Sequence, residues 1–241
     1  MTGISISSYR FSNAVHKKIA VVSDVHDTPY EKLISLLKEQ RPDMICIPGD
    51  LSYRHVSNYP REGVRYKLPA YALDFLAEAR LLAPVYVSRG NQEYRWDGYD
   101  IAELAGRGIR FVENNWAEDD GVLIGGVPSC YSPLDKKKIP DLSWLSDFEQ
   151  QEGYKILLCH HPEYYFRYLK GTKIDLVLSG HAHGGQIRIG NLGLYAPGQG
   201  LFPKFTSGIY DDRLVVSRGL SNRGIPVPRI NNPFELVVVK I

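Results

Sequence analysis

KIAVVSDVHD, residues 18–27, decides the fold. Four consecutive apolar residues, Ile19 to Val22, stop abruptly at Ser23-Asp24-Val25-His26-Asp27. A short β-branched run closed by polar residues reads as a strand buried on both faces, with chemistry or a turn at its carboxyl end. The pattern recurs in MICIPGD (44–50), PVYVSRGNQE (84–93), GVLIGGVPS (121–129), YKILLCHHP (154–162) and IDLVLSGHAH (174–183). Between the first three runs, EKLISLLKEQ (31–40) and LPAYALDFLAEARLL (68–82) repeat apolar residues at three- and four-residue spacing, which predicts helices. Strand, helix, strand, helix, strand predicts an α/β layered fold.

The last third has another character. QIRIGNLGLYAPGQG (186–200) and GIYDDRLVVSRGL (208–220) read as strands and turns without a helix between them, hence an antiparallel edge or a second sheet packed on the first. No linker, low-complexity tract or repeat interrupts the chain, so 1–241 is expected to be a single domain.

Composition sets outer limits. With 44% hydrophobic and 23% charged residues in 241, the chain is an ordinary globular protein. The net charge of +2 is scattered except at Lys136–Lys138, which reads as a solvated loop face, so nucleic acid is not an expected partner. Cys46, Cys130 and Cys159 show no paired spacing, and two of them sit inside apolar runs; a reducing compartment fits. The apolar runs fall far short of the roughly 20 residues of a membrane span, and the first residues lack a signal-peptide core. A cytoplasmic location is the expectation; oligomeric state is not legible.

The chemistry lies at the strand ends. Asp24 and His26 follow the first run, Asp50 the second, Asn91 the third; His160 ends YKILLC, and His181 and His183 follow IDLVLSG. Ligands of open α/β sheets collect beyond the carboxyl ends of strands, so seven oxygen and nitrogen donors converge on one edge. Each two-apart pair, Asp24/His26 and His181/His183, is expected to project from one side of an extended backbone. Singly, a strand-end aspartate reads as a cap and a lone histidine as a hydrogen-bonded structural residue. Four histidines and two aspartates at successive strand ends read instead as a metal centre.

Two Asp, one Asn and four His suit Mn, Fe or Zn rather than thiolate-selecting ions. Two such cations about 3.5–4 Å apart clamp a phosphate ester and lower the pKa of a bound water, giving a hydroxide nucleophile. Their mutual repulsion requires a bridging anion, for which Asp50 is the natural candidate. Gly49, Gly90, Gly180 and Gly184, at or near the ligand positions, permit close backbone approach.

SDVHD, GDL, GNQE, CHHP and GHAH, in this order, resemble the calcineurin-like metallophosphoesterases, whose pattern is D-x-H, G-D, G-N-H-[DE], H and G-H-x-H. The tail from GHAHGGQIRIG onward is similar to a bacterial branch containing cell-envelope-associated and lipid-linked phosphoesterases. The resemblance implies a four-layered α/β/β/α sandwich. It also implies one metal on Asp24, His26, Asp50 and His183 and another on Asp50, Asn91, His160 and His181. His160 rather than His161 is the implied ligand of the H-H-P segment. The implied activity is hydrolysis of a phosphomonoester or phosphodiester.

One position departs. Gln92 stands where the family has the histidine that contacts the phosphate and is held to protonate the leaving group. A glutamine donates a hydrogen bond but delivers no proton near neutral pH. Asp50, Asn91 and Gln92 are thus the catalytic candidates, with turnover expected to be slow for want of a proton donor. The alternatives are an impaired, ligand-trapping form or a non-enzymatic scaffold of the same fold. Substrate contacts are expected from Gln92, Arg54, His55 and Tyr94, because the segments Tyr53-Arg54-His55 and Tyr94-Arg95-Trp96 leave directly from ligand loops. The Gly- and aromatic-rich stretch 190–210 reads either as an apolar rim over the site or as ordinary turns.

Overall fold

Alternation along each strand explains the layering. In the computed structural model, residues 3–12, 15–53, 68–94, 96–130 and 139–241 are described. In chain order the elements are β1 (Ile4–Arg10), β2 (Lys18–Val21), α1 (Glu31–Gln40), β3 (Met44–Ile47), α2 (Ala70–Arg80), β4 (Val85–Val87) and α3 (Gly98–Gly106). Then come β5 (Arg110–Phe111), β6 (Trp116–Asp119), β7 (Val122–Val127), α4 (Leu145–Gln150), β8 (Tyr154–Cys159) and α5 (Pro162–Tyr164), which runs on into a π-helical turn over Tyr165–Leu169. β9 (Leu176–Ser179) is followed by the short pieces β10 (Arg188–Ile189), β11 (Leu192–Gly193), β12 (Tyr195–Ala196) and β13 (Gly200–Leu201). The chain closes with β14 (Gly208–Tyr210), β15 (Leu214–Val216) and β16 (Phe234–Lys240).

Two six-stranded sheets result, ordered β1-β16-β2-β3-β4-β5 and β14-β15-β9-β8-β7-β6. Ile19, Val21, Met44, Cys46 and Tyr86 of the first meet Val122, Ile124, Ile156, Leu158 and Leu176 of the second in one buried cluster between the sheets. The intervening residues Ala20, Ile45, Ile47, Val85 and Val87 face the other way, onto Leu33 and Leu37 of α1 and Phe75 and Leu76 of α2. Leu123, Leu157 and Val177 likewise turn outward onto Phe148 of α4 and Tyr164 of α5. This is the expected α/β/β/α order. Full burial of each such Leu or Phe contributes about 1.5–3 kcal/mol, which is why strands with two apolar faces stay where they are.

Both helices read from periodicity form, with α1 burying Leu33, Ile34 and Leu37 and α2 burying Phe75, Leu76 and Ala79. Three details differ from the reading. The second sheet begins at β6, well before the last third, and both of its edge strands, β6 and β14, run antiparallel to their neighbours. The Gly-rich stretch forms two small hairpins outside both sheets, β10-β11 and β12-β13. Finally, β1 lies parallel to β16 from Ile4↔Phe234 to Arg10↔Lys240, and β16 is antiparallel to β2. No helix among the described residues is long and apolar enough to cross a membrane.

Candidate metal centre

Each donor leaves the end of a strand, but the strands belong to two sheets. β2, β3 and β4 carry Asp24/His26, Asp50 and Asn91; β8 and β9 carry His160 and His181/His183. The single sheet edge expected from the sequence is therefore two edges meeting. Nor do the paired donors sit on extended backbone, as their two-residue spacing predicts. Asp24, His26, Asp50, His181 and His183 all have left-handed backbones, with φ of 54°, 51°, 53°, 67° and 45°. Non-glycine residues pay roughly 1 kcal/mol or more for that conformation, and it persists where surrounding structure imposes it. The turns, not the pleat, aim these side chains.

Close backbone approach makes the turns possible. A Cβ on Gly180 would lie 1.8 Å from Ser23 Oγ and 2.5 Å from Asp24 Oδ2. One on Gly90 would lie 2.3 Å from Asp50 Oδ1. Neither position admits a side chain, so the loops carrying Asp24, Asp50, Asn91 and His181 pack backbone to carboxylate.

Two donor groups form. Asp24, His26 and His183 make one, and Asp50, His160 and His181 the other, each with its ligand atoms within 4.8 Å of one another. His183 Nε2 is 3.3 Å from Asp24 Oδ1, and His160 Nε2 is 3.3 Å from Asp50 Oδ2 and 3.1 Å from Asn91 Oδ1. His26 Nε2 lies between the groups, 3.9 Å from Asp24 Oδ1 and 3.7 Å from Asp50 Oδ2. All seven residues are brought together. A third group, His161, Glu163 and His181, adjoins the second and shares His181 with it.

Three observations test whether cations fit. Among the described residues, both ring nitrogens of the buried His26 lack a hydrogen-bond partner. His183 Nδ1 sits 3.1 Å from the Ser221 carbonyl, which only accepts, so Nδ1 holds the proton and the Nε2 lone pair faces Asp24. His161 Nε2 is held by Ser129 Oγ at 2.6 Å, and its Nδ1, without a hydrogen bond among the described residues, lies 3.4 Å from Glu163 Oε1 rather than against Asp50. The donor set fits two N/O-liganded cations, with His160 rather than His161 facing Asp50.

Electrostatics agree. Burial works to raise the Asp50 carboxyl, but His160 and His26 outweigh it and hold it well below the usual carboxylate range. Against the opposing effect of its burial, Asp50 pushes His160 up to about 9. His183 falls to about 4, chiefly through burial, and His181 is driven well below its ordinary value by burial and the neighbouring imidazoles. Burial thus leaves His181 and His183 as neutral donors near neutral pH, while Asp50 favours the proton on His160.

An open cleft of about 190 Å³ gives access, lined by His26, Asp50, Asn91, Gln92, His181 and His183, with Tyr53, Tyr195, Pro197, Arg223 and the turn Gly224-Ile225-Pro226 at its rim. Gln92 thus faces the cleft, and its backbone N–H donates to Asp50 Oδ1 at 2.9 Å. Tyr94 does not line it. Trp96 is core, packed near Phe111, whereas Arg54, His55, Arg95 and Lys136–Lys138 lie outside the described residues. The Gly-rich stretch contributes Tyr195 and Pro197, so that part of it rims the site.

Two residues with evident work at the site had no role in the sequence reading. Arg223 donates through Nη1 to the carbonyls of His26 and Asp27, 3.2 Å each, and stacks 5.0 Å over Tyr53. Glu93 accepts hydrogen bonds from the amides of Asp50, Ser52 and Gly90. The acid closing the G-N-x-[DE] block was the available signal for Glu93; Arg223 left no local one.

Fold and site together define a metal-dependent phosphoesterase scaffold. Residues 17–185 match the family described as Calcineurin-like phosphoesterase; the chain belongs to that family, whose members hydrolyse phosphate esters. Among curated proteins it is 24% identical over 221 residues to the uncharacterised YpbG of Bacillus subtilis, covering 87% of this chain and 75% of that one. It is 28% identical over 237 residues to an uncharacterised metallophosphoesterase of Campylobacter jejuni, covering 93% and 59%. Another from Aquifex aeolicus is 26% identical over 258 residues, covering 98% and 89%. Several relatives are thus longer than this chain, among them a zebrafish transmembrane protein with a metallophosphoesterase domain, of which 41% is covered. Of solved structures, SoxB, a sulfate thiohydrolase of Thermus thermophilus, is similar over 78% of this chain and 36% of that one, at 14% identity and a TM-score of 0.44.

Proposed function

We propose that this chain hydrolyses a phosphomonoester or phosphodiester at a pair of cations, held by Asp24, His26, Asp50 and His183 on one side and Asp50, Asn91, His160 and His181 on the other. The carrying observation is the pair of donor groups joined through Asp50, whose Oδ2 lies within 4 Å of both His26 and His160. Cations bound there supply Lewis-acid polarisation of the phosphoryl group and a nucleophile at neutral pH. Asp50, ionised and fixed by the Gln92 amide, holds the charge that lets two cations sit side by side. Asn91 and Gln92 offer amide donors toward the cleft for phosphoryl oxygens. The rim of Tyr53, Tyr195, Pro197, Ile225 and Pro226 favours an ester with an apolar group beside its phosphate.

A second reading has its own support. Gln92 stands at the cleft with no proton to give, and among the described residues lining the cleft the only imidazoles and carboxyl groups are those of the metal donor set. In this reading the chain binds cations and phosphate but turns over slowly. The nitrogen-and-oxygen donor set favours Mn, Fe or Zn. Buried thiols at Cys46 and Cys159 suit a cytoplasmic setting, and one apolar core shared by both sheets suits a single domain spanning 1–241.

Metal analysis combined with turnover tests the proposal. Near two equivalents of Mn, Fe or Zn per chain, with hydrolysis of an aryl phosphodiester or monoester in added Mn²⁺, is the expected outcome. Fewer than one equivalent would leave only a scaffold. Two equivalents with negligible turnover would select the second reading.

A further inference from the structure

Beside the loop that carries His183 lies another cleft, of about 440 Å³, whose lining shares no residue with the metal cleft. Arg188, Arg218, Glu235, Tyr9, Tyr210 and Ser207 are among the residues that form it. Its charges do not balance. The Arg188 side chain is buried, with the residue only 7% exposed, yet it meets neutral acceptors alone: Nη1 donates to the Gly184 carbonyl at 2.8 Å and Thr206 Oγ1 at 3.3 Å, and Nη2 to the Asn191 carbonyl at 3.0 Å. A guanidinium has five N–H groups, so these bonds leave donors over.

The one carboxylate of the cleft is already committed. Glu235 Oε1 pairs with Arg218 Nη2 at 2.9 Å and accepts the Ser7 hydroxyl, while Oε2 takes the Arg218 amide at 2.8 Å. Arg218 still has a buried Nε without an acceptor among the described residues. Two guanidinium groups thus face one carboxylate, and among the described residues no acid pairs with Arg188. Burial, reinforced by Arg218, pulls the Arg188 guanidinium below its ordinary value, and Tyr210 and Glu235 offset this only in part. Tyr210 accepts from the Thr206 amide at 3.0 Å, which leaves its hydroxyl hydrogen to donate. The surplus is therefore positive charge and hydrogen-bond donors, in a volume that suits a small molecule rather than a bare ion.

We propose that this cleft binds the oxyanion group, phosphoryl or carboxylate, of a small molecule, with Arg188 as the main contact and Arg218 and Tyr210 beside it. The two N–H groups left over on Arg188, one on Nε and one on Nη2, belong to the same edge of the guanidinium and match two oxygens of such a group. Because Arg188 also holds the Gly184 carbonyl, next to His183, an occupant would stiffen a loop of the metal centre. The inference stands on the charges of this cleft and does not depend on the chain being an active hydrolase.

The test uses the whole chain stripped of metal with EDTA, so that phosphate has no cations to bind. Inorganic phosphate and acetate are titrated at constant ionic strength against chloride, following melting temperature. A saturable rise of about 2–5 °C is expected for phosphate, acetate or both, with none for chloride. A response to phosphate alone assigns a phosphoryl ligand; a response to both assigns any small oxyanion. Ser207→Asp, which places a carboxylate at the half-buried rim, is expected to raise the melting temperature by itself and abolish the response. Arg188→Gln should abolish it as well, and if that variant fails to fold, Ser207→Asp decides. No saturable response in the wild-type chain, or one that survives Ser207→Asp undiminished, overturns the proposal.

Discussion

The carboxylate of Glu93 and the backbone of Asp50 are joined directly: Glu93 Oε2 accepts the Asp50 amide at 2.9 Å, from a side chain that is 1% exposed. The same carboxylate takes the Gly90 amide at 2.8 Å and, through Oε1, the Ser52 amide at 2.9 Å and the Ser52 hydroxyl at 3.1 Å. One acid therefore ties the loop after β3 to the loop after β4. Glu93→Ala would strand three buried amides, each worth about 1–3 kcal/mol when unsatisfied. A loss of roughly 3–5 kcal/mol in urea unfolding is expected, with metal retention falling alongside. Loss of under 1 kcal/mol would mean the loops hold together without it.

This residue also marks what the sequence makes legible. The strands with two apolar faces, the helices α1 and α2, and the convergence of the seven candidate donors could be read because each leaves a local signal: a run, a period, or a polar break at a strand end. Arg223 could not, since its work is to hold the carbonyls of His26 and Asp27, nearly 200 positions earlier in the chain. The left-handed turns at Asp24 and His183 escaped as well, because they accompany close packing between residues far apart in the chain, Gly180 against Ser23 across two sheets. At β1, the alternation of Ile4 and Ile6 was present, but only pairing with β16 from the far end of the chain makes it a strand.

Adjacent histidines should separate cleanly. His160 faces Asp50 and Asn91, whereas His161 is engaged with Ser129 and Glu163. His160→Ala is expected to lose about one equivalent of metal. His161→Ala should keep close to two, weakened at most about 10–100-fold in affinity because its ring packs 4.2 Å from that of His181. Metal content after gel filtration distinguishes them, and equal losses in both would return His161 to the ligand set.

Without metal, stability should peak near pH 6.5. His183 has a folded value of about 4 against an ordinary 6.5, so its contribution is full above 6.5 and lost as pH falls to 4; burial of His181 and His161 acts in the same direction. His160 has a folded value of about 9, so its contribution is full below 6.5 and lost as pH rises through 9. Glu93, pushed up to about 7 by burial and Asp50, opposes the three histidines between 4.5 and 7 and is outnumbered. A change of order 1–3 kcal/mol is expected on each side of the maximum. Melting curves in EDTA from pH 4 to 9 check this, and a steady climb through pH 9 would refute it. Added Mn²⁺ should remove the alkaline decline, since a cation takes the place of the proton on His160.

The last prediction concerns Gln92. Its amide is anchored on Asp50 Oδ1 and its side chain lines the cleft, so a histidine there would present an imidazole to the leaving-group side without moving a metal donor. Protonation matters in proportion to how poor the leaving group is. An aryl ester whose leaving group is already acidic gains little from an added acid, and an alkyl ester gains most. Gln92→His is therefore expected to raise kcat about 10²–10⁴-fold on an alkyl phosphoester while changing an activated aryl ester by less than about tenfold. Metal content should stay near two equivalents in both forms. The variant should also acquire a descending alkaline limb in its pH–rate profile on the alkyl ester, because the new imidazole acts only while protonated. An equal gain on both esters would assign Gln92→His to phosphate binding rather than proton transfer. No gain on either would mean that the native chain draws its proton from elsewhere, and that Gln92 is an adaptation to its substrate, not a missing part.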